Sequence, residues 1–198
     1  ELRVTKKKAL FGTNPVSNYT MLPEHSRWFI KYYSKEGDTV ADNAFGRGTN
    51  ILAAAYEGRK VIGFDLNKNN VECVSEALTE HIGIKADDFT LHHSCGCEMV
   101  EYAAATNIID LFLNDIPYIH AEKYNDDPRD LGNIRNFDNF YSRVEVMMRN
   151  MKRLIKKSNY EDEIFKPIIM KVGSARKGPK GLHDMATEIE LIGRKVGL

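Results

Sequence analysis

The sequence predicts an α/β fold in which a mostly parallel sheet carries helices on both faces. Short apolar runs typical of strands alternate along the chain with longer segments of helical periodicity. A glycine-rich turn joins the first strand to the next helix, and branched apolar residues over 108–113 indicate a buried strand. Strands that alternate with helices pair in parallel, so the connecting helices should cover the sheet.

The predicted strands are apolar runs bounded by polar or turn-forming residues. They cover residues 39–42, 60–65, 89–92, 108–115 and 165–172.

The predicted helices combine apolar spacing of three and four residues with suitable end signals, such as a proline in the first turn at position 23. They cover residues 23–34, 50–56, 67–81, 98–105, 137–157 and 183–196. The polar stretch 116–136 is too long for a routine connection and is therefore a candidate functional loop.

Composition limits the class of protein. The 198 residues carry 28 basic and 28 acidic side chains, so no global field attracts nucleic acid and any such attraction must be local. No stretch approaches the roughly 18 apolar residues of a membrane span, so no membrane contact is expected. Three cysteines form no disulfide framework, which favours a reducing, cytoplasmic location, and no metal site is predicted. A single domain over residues 1–198 accounts for the pattern.

The turn after the first strand has the features of a nucleoside site. Gly46 and Gly48 let the backbone turn tightly and approach a ligand, and Thr49 or Asn50 is placed to cap the next helix. Asp65 ends the second strand 19 residues after Gly46, a spacing at which an acid commonly binds ribose hydroxyls. A dinucleotide fingerprint would need a third glycine where Ile51 stands, and there is no phosphate-binding Gly-Lys-Ser/Thr. S-adenosylmethionine fits these features.

A second motif follows the strand that ends at Asp115. Pro117 ends the strand ladder and fixes a turn, which holds Asp115 at the sheet edge where ligands bind in open α/β folds. Tyr118 offers a flat ring beside this acid. A planar amine is therefore expected to stack on the ring and to donate hydrogen bonds to the carboxylate.

The two motifs, in this order, resemble those of the DNA amino-methyltransferases, the adenine-N6 and cytosine-N4 enzymes. The family's glycine motif typically runs Asp-Pro-Phe-x-Gly-x-Gly-Thr, and residues 42–49 read Asp-Asn-Ala-Phe-Gly-Arg-Gly-Thr. Its catalytic motif runs Asp/Asn/Ser-Pro-Pro-Tyr/Phe, and residues 115–118 read Asp-Ile-Pro-Tyr. Residues 18–23 (Asn-Tyr-Thr-Met-Leu-Pro) are similar to a segment that many members carry before the glycine motif. The sequence departs from the family at Asn43 and Ile116, where prolines are usual.

The resemblance implies a Rossmann-like methyltransferase fold with one catalytic domain, whose target-recognition region is absent or outside the chain. The implied reaction transfers a methyl group from S-adenosylmethionine to an exocyclic amino group of a DNA base that has left the duplex. The base would stack on Tyr118, and its amino group would donate to Asp115 and to the Ile116 carbonyl. Asp at position 115 favours adenine N6 over cytosine N4.

Other readings stay open. An RNA amino-methyltransferase would use a related motif, and an inactive cofactor-binding partner subunit is the alternative from another functional class. DNA is the expected partner, in a homodimer or with a recognition subunit. Restriction-modification is the expected context.

The resemblance and the turn positions together give the candidate site residues. The catalytic candidates are Asp115, Ile116, Pro117 and Tyr118. The cofactor candidates lie before the first helix, in the glycine turn and after the next two strands: Thr20, Met21, Asp42, Phe45, Gly46, Gly48, Thr49, Asn50, Asp65, Leu66, Ser94 and Cys95. The candidate nucleic-acid contacts are basic residues in two loops: Arg129, Arg176, Lys177 and Lys180.

Overall fold

A computed structural model describes residues 21–119, 125–157, 166–173, 175–176 and 182–198. Its main element is a five-stranded, entirely parallel sheet with the strand order β3-β2-β1-β4-β5. The strands are β1 (Thr39–Asp42), β2 (Lys60–Asp65), β3 (Phe89–His93), β4 (Leu111–Asp115) and β5 (Ile168–Lys171). A separate antiparallel pair is formed by β6 (Ala175–Arg176) and β7 (Leu182–His183).

The described residues include five α-helices, of which the first precedes β1 and the others lie between or after the strands. They are α1 (Pro23–Tyr33), α2 (Thr49–Tyr56), α3 (Lys68–Glu76), α4 (Phe137–Leu154) and α5 (Met185–Val196). In the described parts of the chain, no helix is long and apolar enough to cross a membrane.

The sheet separates two apolar cores because successive side chains of a strand point to opposite faces. Val40 of β1 packs in the core that holds α1, α2 and α3, whereas the next residue, Ala41, packs in the core that holds α4 and α5. Leu111 and Phe112 of β4 divide in the same way. The predicted α/β fold, with helices on both faces of a parallel sheet, is therefore confirmed.

Two predicted helices differ from the observed ones. The helix predicted over 67–81 is α-helical only to Glu76 and continues as a π-helix over Ala77–Ile82. In that second part the Thr79 hydroxyl donates to the carbonyls of Ser75 and Glu76, which competes with the regular ladder.

The helix predicted over 98–105 is wrong, since only a short 3₁₀ turn at Val100–Tyr102 is present. Met99 before this turn has the left-handed φ of 45°. The side chain of Asn150 on α4 donates to the carbonyls of Cys97 and Glu98 at 2.9 and 3.1 Å. These carbonyls therefore accept from α4 rather than from a local helix.

The remaining boundaries differ by a few residues. The strand predicted from residue 108 pairs regularly only from Leu111, and Ile109 forms an isolated bridge with Ile155 after α4. The strand predicted over 165–172 is observed as Ile168–Lys171, and residue 165 lies outside the described residues.

Candidate active site

The strand order creates a crevice between β1 and β4. The chain moves from β1 outward to β2 and β3, then returns to place β4 on the other side of β1. Ligands of open α/β sheets bind beyond the carboxyl ends of the strands where the order reverses in this way. The turn after β1 and the turn after β4 both line a cavity of about 350 Å³ there, within the roughly 300–1,000 Å³ usual for small-molecule sites.

The glycine turn is held close to the sheet. Gly48 has a φ of 79°, and a Cβ added there would lie 2.6 Å from a methyl carbon of Val74 on α3. Gly46 has a φ of 53°, and its N–H donates to Oδ2 of Asp65 at 2.7 Å. Both glycines therefore meet a conformational requirement, and Gly48 alone of the two also meets a steric one. Phe45 beside them is buried.

The predicted capping of α2 by Thr49 or Asn50 is wrong. Gly48 occupies the N-cap position, and no side chain caps the helix there. The Asn50 side chain turns inward instead, donating to Oδ2 of Asp42 at 2.8 Å and to the Leu113 carbonyl at 3.1 Å. Its oxygen accepts from the Ser26 hydroxyl at 2.7 Å. Asn50 thus joins the ends of β1 and β4 to α1.

Asp42 is a buried acid on the wall of the cavity. Only 2% of the residue is exposed, and desolvation raises its pKa to about 7 despite hydrogen bonds from Ala44 and Asn50. The negative charges of Asp115 and Asp65 raise this pKa further. The carboxyl can therefore change its charge near neutral pH.

Asp65 anchors the turn after β2. Besides Gly46, its carboxylate accepts from the Asn67 N–H at 2.8 Å and from the Asn70 amide at 3.2 Å, both at Oδ1. Burial is the main cause of a raised pKa for this acid. The acid that the sequence assigns to ribose binding lines the cavity with Leu66, and it also holds the glycine turn in place.

Asn43 stands where the motif that this sequence resembles usually has a proline, and its contacts make use of the difference. The Asn43 N–H, which a proline would lack, donates to Oδ1 of Asn114 on β4 at 2.8 Å. Its side-chain amide donates to the Gly96 carbonyl at 2.7 Å. One asparagine therefore ties the turn after β1 to both β4 and the turn after β3.

Asp115 ends β4 and is held by two neighbours. Lys171, its register partner on β5, places Nζ 2.7 Å from Oδ2 of Asp115. The Tyr118 hydroxyl donates to Oδ1 at 3.3 Å, a long and therefore weak hydrogen bond. Ile116 is buried, and a Cβ added at Gly173 would lie 3.3 Å from the Tyr118 ring. The residues of the second motif, including Pro117, thus line the cavity opposite the glycine turn.

The turn after β3 closes another side of the cavity. Ser94, Cys95 and the buried Met21 before α1 all line it. The Ser94 N–H donates to the Asp65 carbonyl at 3.0 Å, which fixes this turn against β2. Arg143 of α4 donates to the Cys95 sulfur at 3.2 Å.

The predicted nucleic-acid residues are only partly described. Arg129 lines the cavity and forms a two-point ion pair with the neighbouring Asp127, whose pKa this hydrogen bonding lowers to about 2. The Arg176 side chain, Lys177 and Lys180 lie outside the described residues, as does Thr20. Within the described residues, no group of three His, Cys, Asp or Glu is arranged to hold a metal.

Several cavity or supporting residues were not among the sequence candidates. Polar examples are Asn43, Asn114, Asp130, Lys171 and Cys97. Of these, Lys171 had a usable signal, because a lysine near the carboxyl end of the strand beside β4 is expected to approach Asp115. The asparagine pair had none, since 71 residues separate its members.

The cavity suits a cationic nucleoside. Asp42, Asp65, Asp115 and Asp130 contribute acidic groups to its lining. Among the described residues, the buried Oδ1 of Asn43 and the Ser94 hydroxyl have no hydrogen-bond partner. Buried polar atoms of this kind normally have a partner, and a bound nucleoside would supply one.

Comparison with known proteins gives one sequence match. A family model described as DNA methylase, of the N6/N4 class, matches residues 22–76. This segment contains α1, the glycine turn and the elements up to α3, but it ends before Asp115. No curated protein matches the chain.

Solved structures are similar to this chain at low sequence identity. The cyclopropane synthase MmaA2 from Mycobacterium tuberculosis is 11% identical, with a TM-score of 0.57 over 88% of this chain and 59% of its own. A Clostridium thermocellum protein provisionally named an rRNA-methylase is 20% identical, with a TM-score of 0.49 over 72% and 69% of the two chains. An rRNA methylase from Streptococcus thermophilus is 18% identical, with a TM-score of 0.42 over 63% and 65%.

The chain therefore has the fold of the S-adenosylmethionine-dependent methyltransferases and, over residues 22–76, the sequence pattern of the DNA methylase family, which confirms the resemblance predicted from its motifs.

Proposed function

We propose that this S-adenosylmethionine-dependent methyltransferase methylates an exocyclic amino group of a DNA base, with adenine N6 as the favoured target. The observation that carries the proposal is that the glycine turn and residues 115–118 line the same cavity at the β1–β4 crevice. A methyl donor and an acceptor must share one space, and the two motifs supply a surface for each.

The cofactor would lie along the glycine turn. Bound S-adenosylmethionine supplies a methyl group on a positively charged sulfur. Asp65 would accept from the ribose hydroxyls through Oδ2, which has one hydrogen bond from Gly46 and can accept another. Ser94 and Asn43 would offer their unpartnered oxygens to the adenosine. Asp42 would attract the ammonium group of the methionine end.

The target base would lie against Tyr118. A side chain at residue 173 would crowd the ring, and Gly173 leaves this space open. Asp115 would accept a hydrogen bond from the base amino group at Oδ1 once Tyr118 releases its weak bond there. Lys171 would keep Oδ2 in place during this exchange. Holding both reactants in attack geometry lowers the barrier by up to about 7–11 kcal/mol.

The identity of residue 115 bears on the target base. Asp115 favours adenine over cytosine, and an RNA base would present the same amino group. We further propose that residues 1–198 form one catalytic domain, whose recognition of sequence depends on the 116–136 loop, a partner subunit or a second copy.

Product analysis tests the reaction. The protein is incubated with S-adenosylmethionine that carries a tritiated methyl group, in separate samples that contain duplex DNA, single-stranded DNA or RNA. Each polymer is then digested to nucleosides. We expect tritium in N6-methyldeoxyadenosine from the DNA samples. Label in N4-methyldeoxycytidine would make cytosine N4 the target, and label only in RNA would make RNA the substrate. Cofactor binding without label in any polymer would favour the inactive subunit.

The variant Asp115→Ala tests the assigned catalytic site. It removes the acceptor for the amino group but leaves the glycine turn intact. We therefore expect loss of methyl transfer by at least about a hundredfold, with cofactor affinity by calorimetry within about twofold. Asp87→Ala, at an exposed acid before β3, is the matched control and should retain transfer. Wild-type transfer by Asp115→Ala would remove this residue from the mechanism.

A further inference from the structure

The turn after β3 brings two buried thiols to the wall of the cavity. Cys95 and Cys97 are 3% and 5% exposed, and both line the cavity. Each thiol shifts the pKa of the other, downward for Cys95 and upward for Cys97. Neither cysteine is in a disulfide.

The surroundings of Cys95 favour a thiolate. The Cys97 thiol, the backbone N–H groups of Cys97 and Glu98, and the charge of Arg143 together lower the Cys95 pKa to about 6, although burial opposes this. The Arg143 Nη2 atom lies 3.2 Å from the Cys95 sulfur, and its other terminal nitrogen pairs with Glu98 at 2.9 Å. Arg129 is a second cation that interacts with Cys95. The interaction with Cys95 raises the pKa of Cys97.

The turn that carries the thiols is fixed against the glycine turn. A Cβ added at Gly96 would lie 1.8 Å from the Asn43 carbonyl oxygen, so the two backbones are in direct contact. The Asn43 amide also donates to the Gly96 carbonyl at 2.7 Å. Gly96 therefore cannot shift toward Asn43 to make room for atoms added to the Cys95 sulfur, whereas the cavity that Cys95 lines offers open space.

We propose that Cys95 is a reactive thiolate in the cofactor cavity and that its modification by soft electrophiles prevents cofactor binding. With an alkyl iodide, the sulfur forms a bond to carbon while the carbon–iodine bond breaks and iodide leaves. With a peroxide, the sulfur takes one oxygen as the O–O bond breaks, which gives a sulfenic acid on Cys95 and hydroxide from the reduced peroxide. The effect on the cofactor rests on the proposed function, whereas the reactivity of the sulfur does not.

Time-resolved labelling with iodoacetamide at pH 7, followed by peptide mass spectrometry, measures the reactivity. Cys73 is an internal reference, because it also lines the cavity but lies on α3 away from the thiol pair. We expect Cys95 to be labelled at least roughly fivefold faster than Cys73, because the thiolate is the nucleophile. Equal or slower labelling of Cys95 would overturn the proposal.

Two variants of Cys97 separate its effect on the Cys95 sulfur from a mere change in packing. Cys97→Ala removes the donor and is expected to slow Cys95 labelling by roughly fivefold or more, whereas Cys97→Ser keeps a donor and should retain most of the wild-type rate. Equal rates in both variants would contradict the assigned role of Cys97.

The cofactor product S-adenosylhomocysteine tests the location. Saturation should protect Cys95 from iodoacetamide, and protein labelled only at Cys95, in a Cys73→Ser background, should lose binding by calorimetry. If the compound binds without protecting Cys95, the proposal is wrong. If it does not bind while Cys95 still reacts rapidly, the cofactor assignment fails and the reactive thiolate stands.

Discussion

At the scale of the residue, Asp42 has a pKa far above the usual value of a carboxyl group. It is buried at the carboxyl end of β1 and receives hydrogen bonds from Ala44 and Asn50. These bonds favour the carboxylate, whereas desolvation and the charges of nearby acids favour the neutral form. Because the second group of effects is larger, the pKa is about 7.

This pKa predicts that cofactor affinity rises with pH. Below pH 7 Asp42 is mostly protonated and cannot attract the cofactor ammonium group, whereas above pH 7 it is mostly ionised. The competent fraction changes about tenfold between pH 6 and pH 8, and the apparent affinity should follow it. Calorimetry with S-adenosylhomocysteine at the two pH values measures the change.

The control for this experiment first removes a second titrating group from the cavity. Cys95 also titrates near neutral pH in the same cavity, so the comparison is made in a Cys95→Ser background. There, Asp42→Asn should abolish most of the rise in affinity. A rise that persists in Asp42→Asn would assign the pH dependence to another group.

The sequence revealed single residues better than their partners. The acids at the ends of β1, β2 and β4 could be predicted, because the position of an acid after a strand is a local property. The hydrogen bond between the Asn43 backbone and the Asn114 side chain could not be predicted, because it depends on the register in which β1 and β4 pair. The apparent defect in the family motif at residue 43 is thus explained only by the folded structure.

At the scale of the element, the glycine turn depends on contact with α3. Gly48 combines a left-handed backbone with a methyl carbon of Val74 only 2.6 Å from the place of a Cβ. Gly83, after the π-helix, has a similar φ of 73° but open space around it. The two positions therefore share the backbone requirement and differ in the steric one.

Substitution of both glycines by alanine measures this difference. We expect Gly83→Ala to lower the free energy of unfolding by about 1–2 kcal/mol, the cost of a left-handed alanine. Gly48→Ala should cost about 1–3 kcal/mol more because of the clash with Val74. Urea denaturation measures both, and the added Val74→Ala substitution should recover part of the Gly48→Ala loss. Equal losses at the two glycines would contradict the predicted contact.

Element boundaries show where local pattern is insufficient. The five strands were predicted correctly as elements because apolar runs bounded by turns are local signals. The helix predicted over 98–105 failed because α4, about 50 residues later, takes its backbone carbonyls. Asn150 binds those of Cys97 and Glu98, and Arg153 binds those of Tyr102 and Ala105. Such a competitor is invisible to a periodicity that extends over eight residues.

At the scale of the whole molecule, the alternation of strands and helices predicted the layers but not the strand order. A parallel sheet follows from helical connections. The placement of β4 beside β1, which makes the crevice, follows from the connection over residues 94–110, which returns the chain from β3 to the other side of β1. The candidate site could be anticipated only because both motifs follow strands, and all parallel strands end at the same edge.

The balanced charge of the chain predicts how it would bind DNA under the proposed function. With 28 basic and 28 acidic residues, no general attraction exists, so phosphate contacts must come from a few local cations. The sequence candidates are Arg129, Arg176, Lys177 and Lys180. Each phosphate contact adds about 0.9 to the slope of log affinity against log salt. Four such cations therefore limit this slope to about −4. Titrations between about 50 and 200 mM salt measure it.

Charge-matched variants identify the loop that binds the phosphates. Replacing Arg176, Lys177 and Lys180 by glutamine should make the slope shallower by about 0.9 for each phosphate that the variant no longer neutralises. The control replaces Lys68, Arg149 and Arg194, three cations in exposed ion pairs within helices, and removes the same charge. If net charge alone governed binding, both triple variants would change the slope equally. A change confined to the first variant would place the DNA backbone against the segment 176–180.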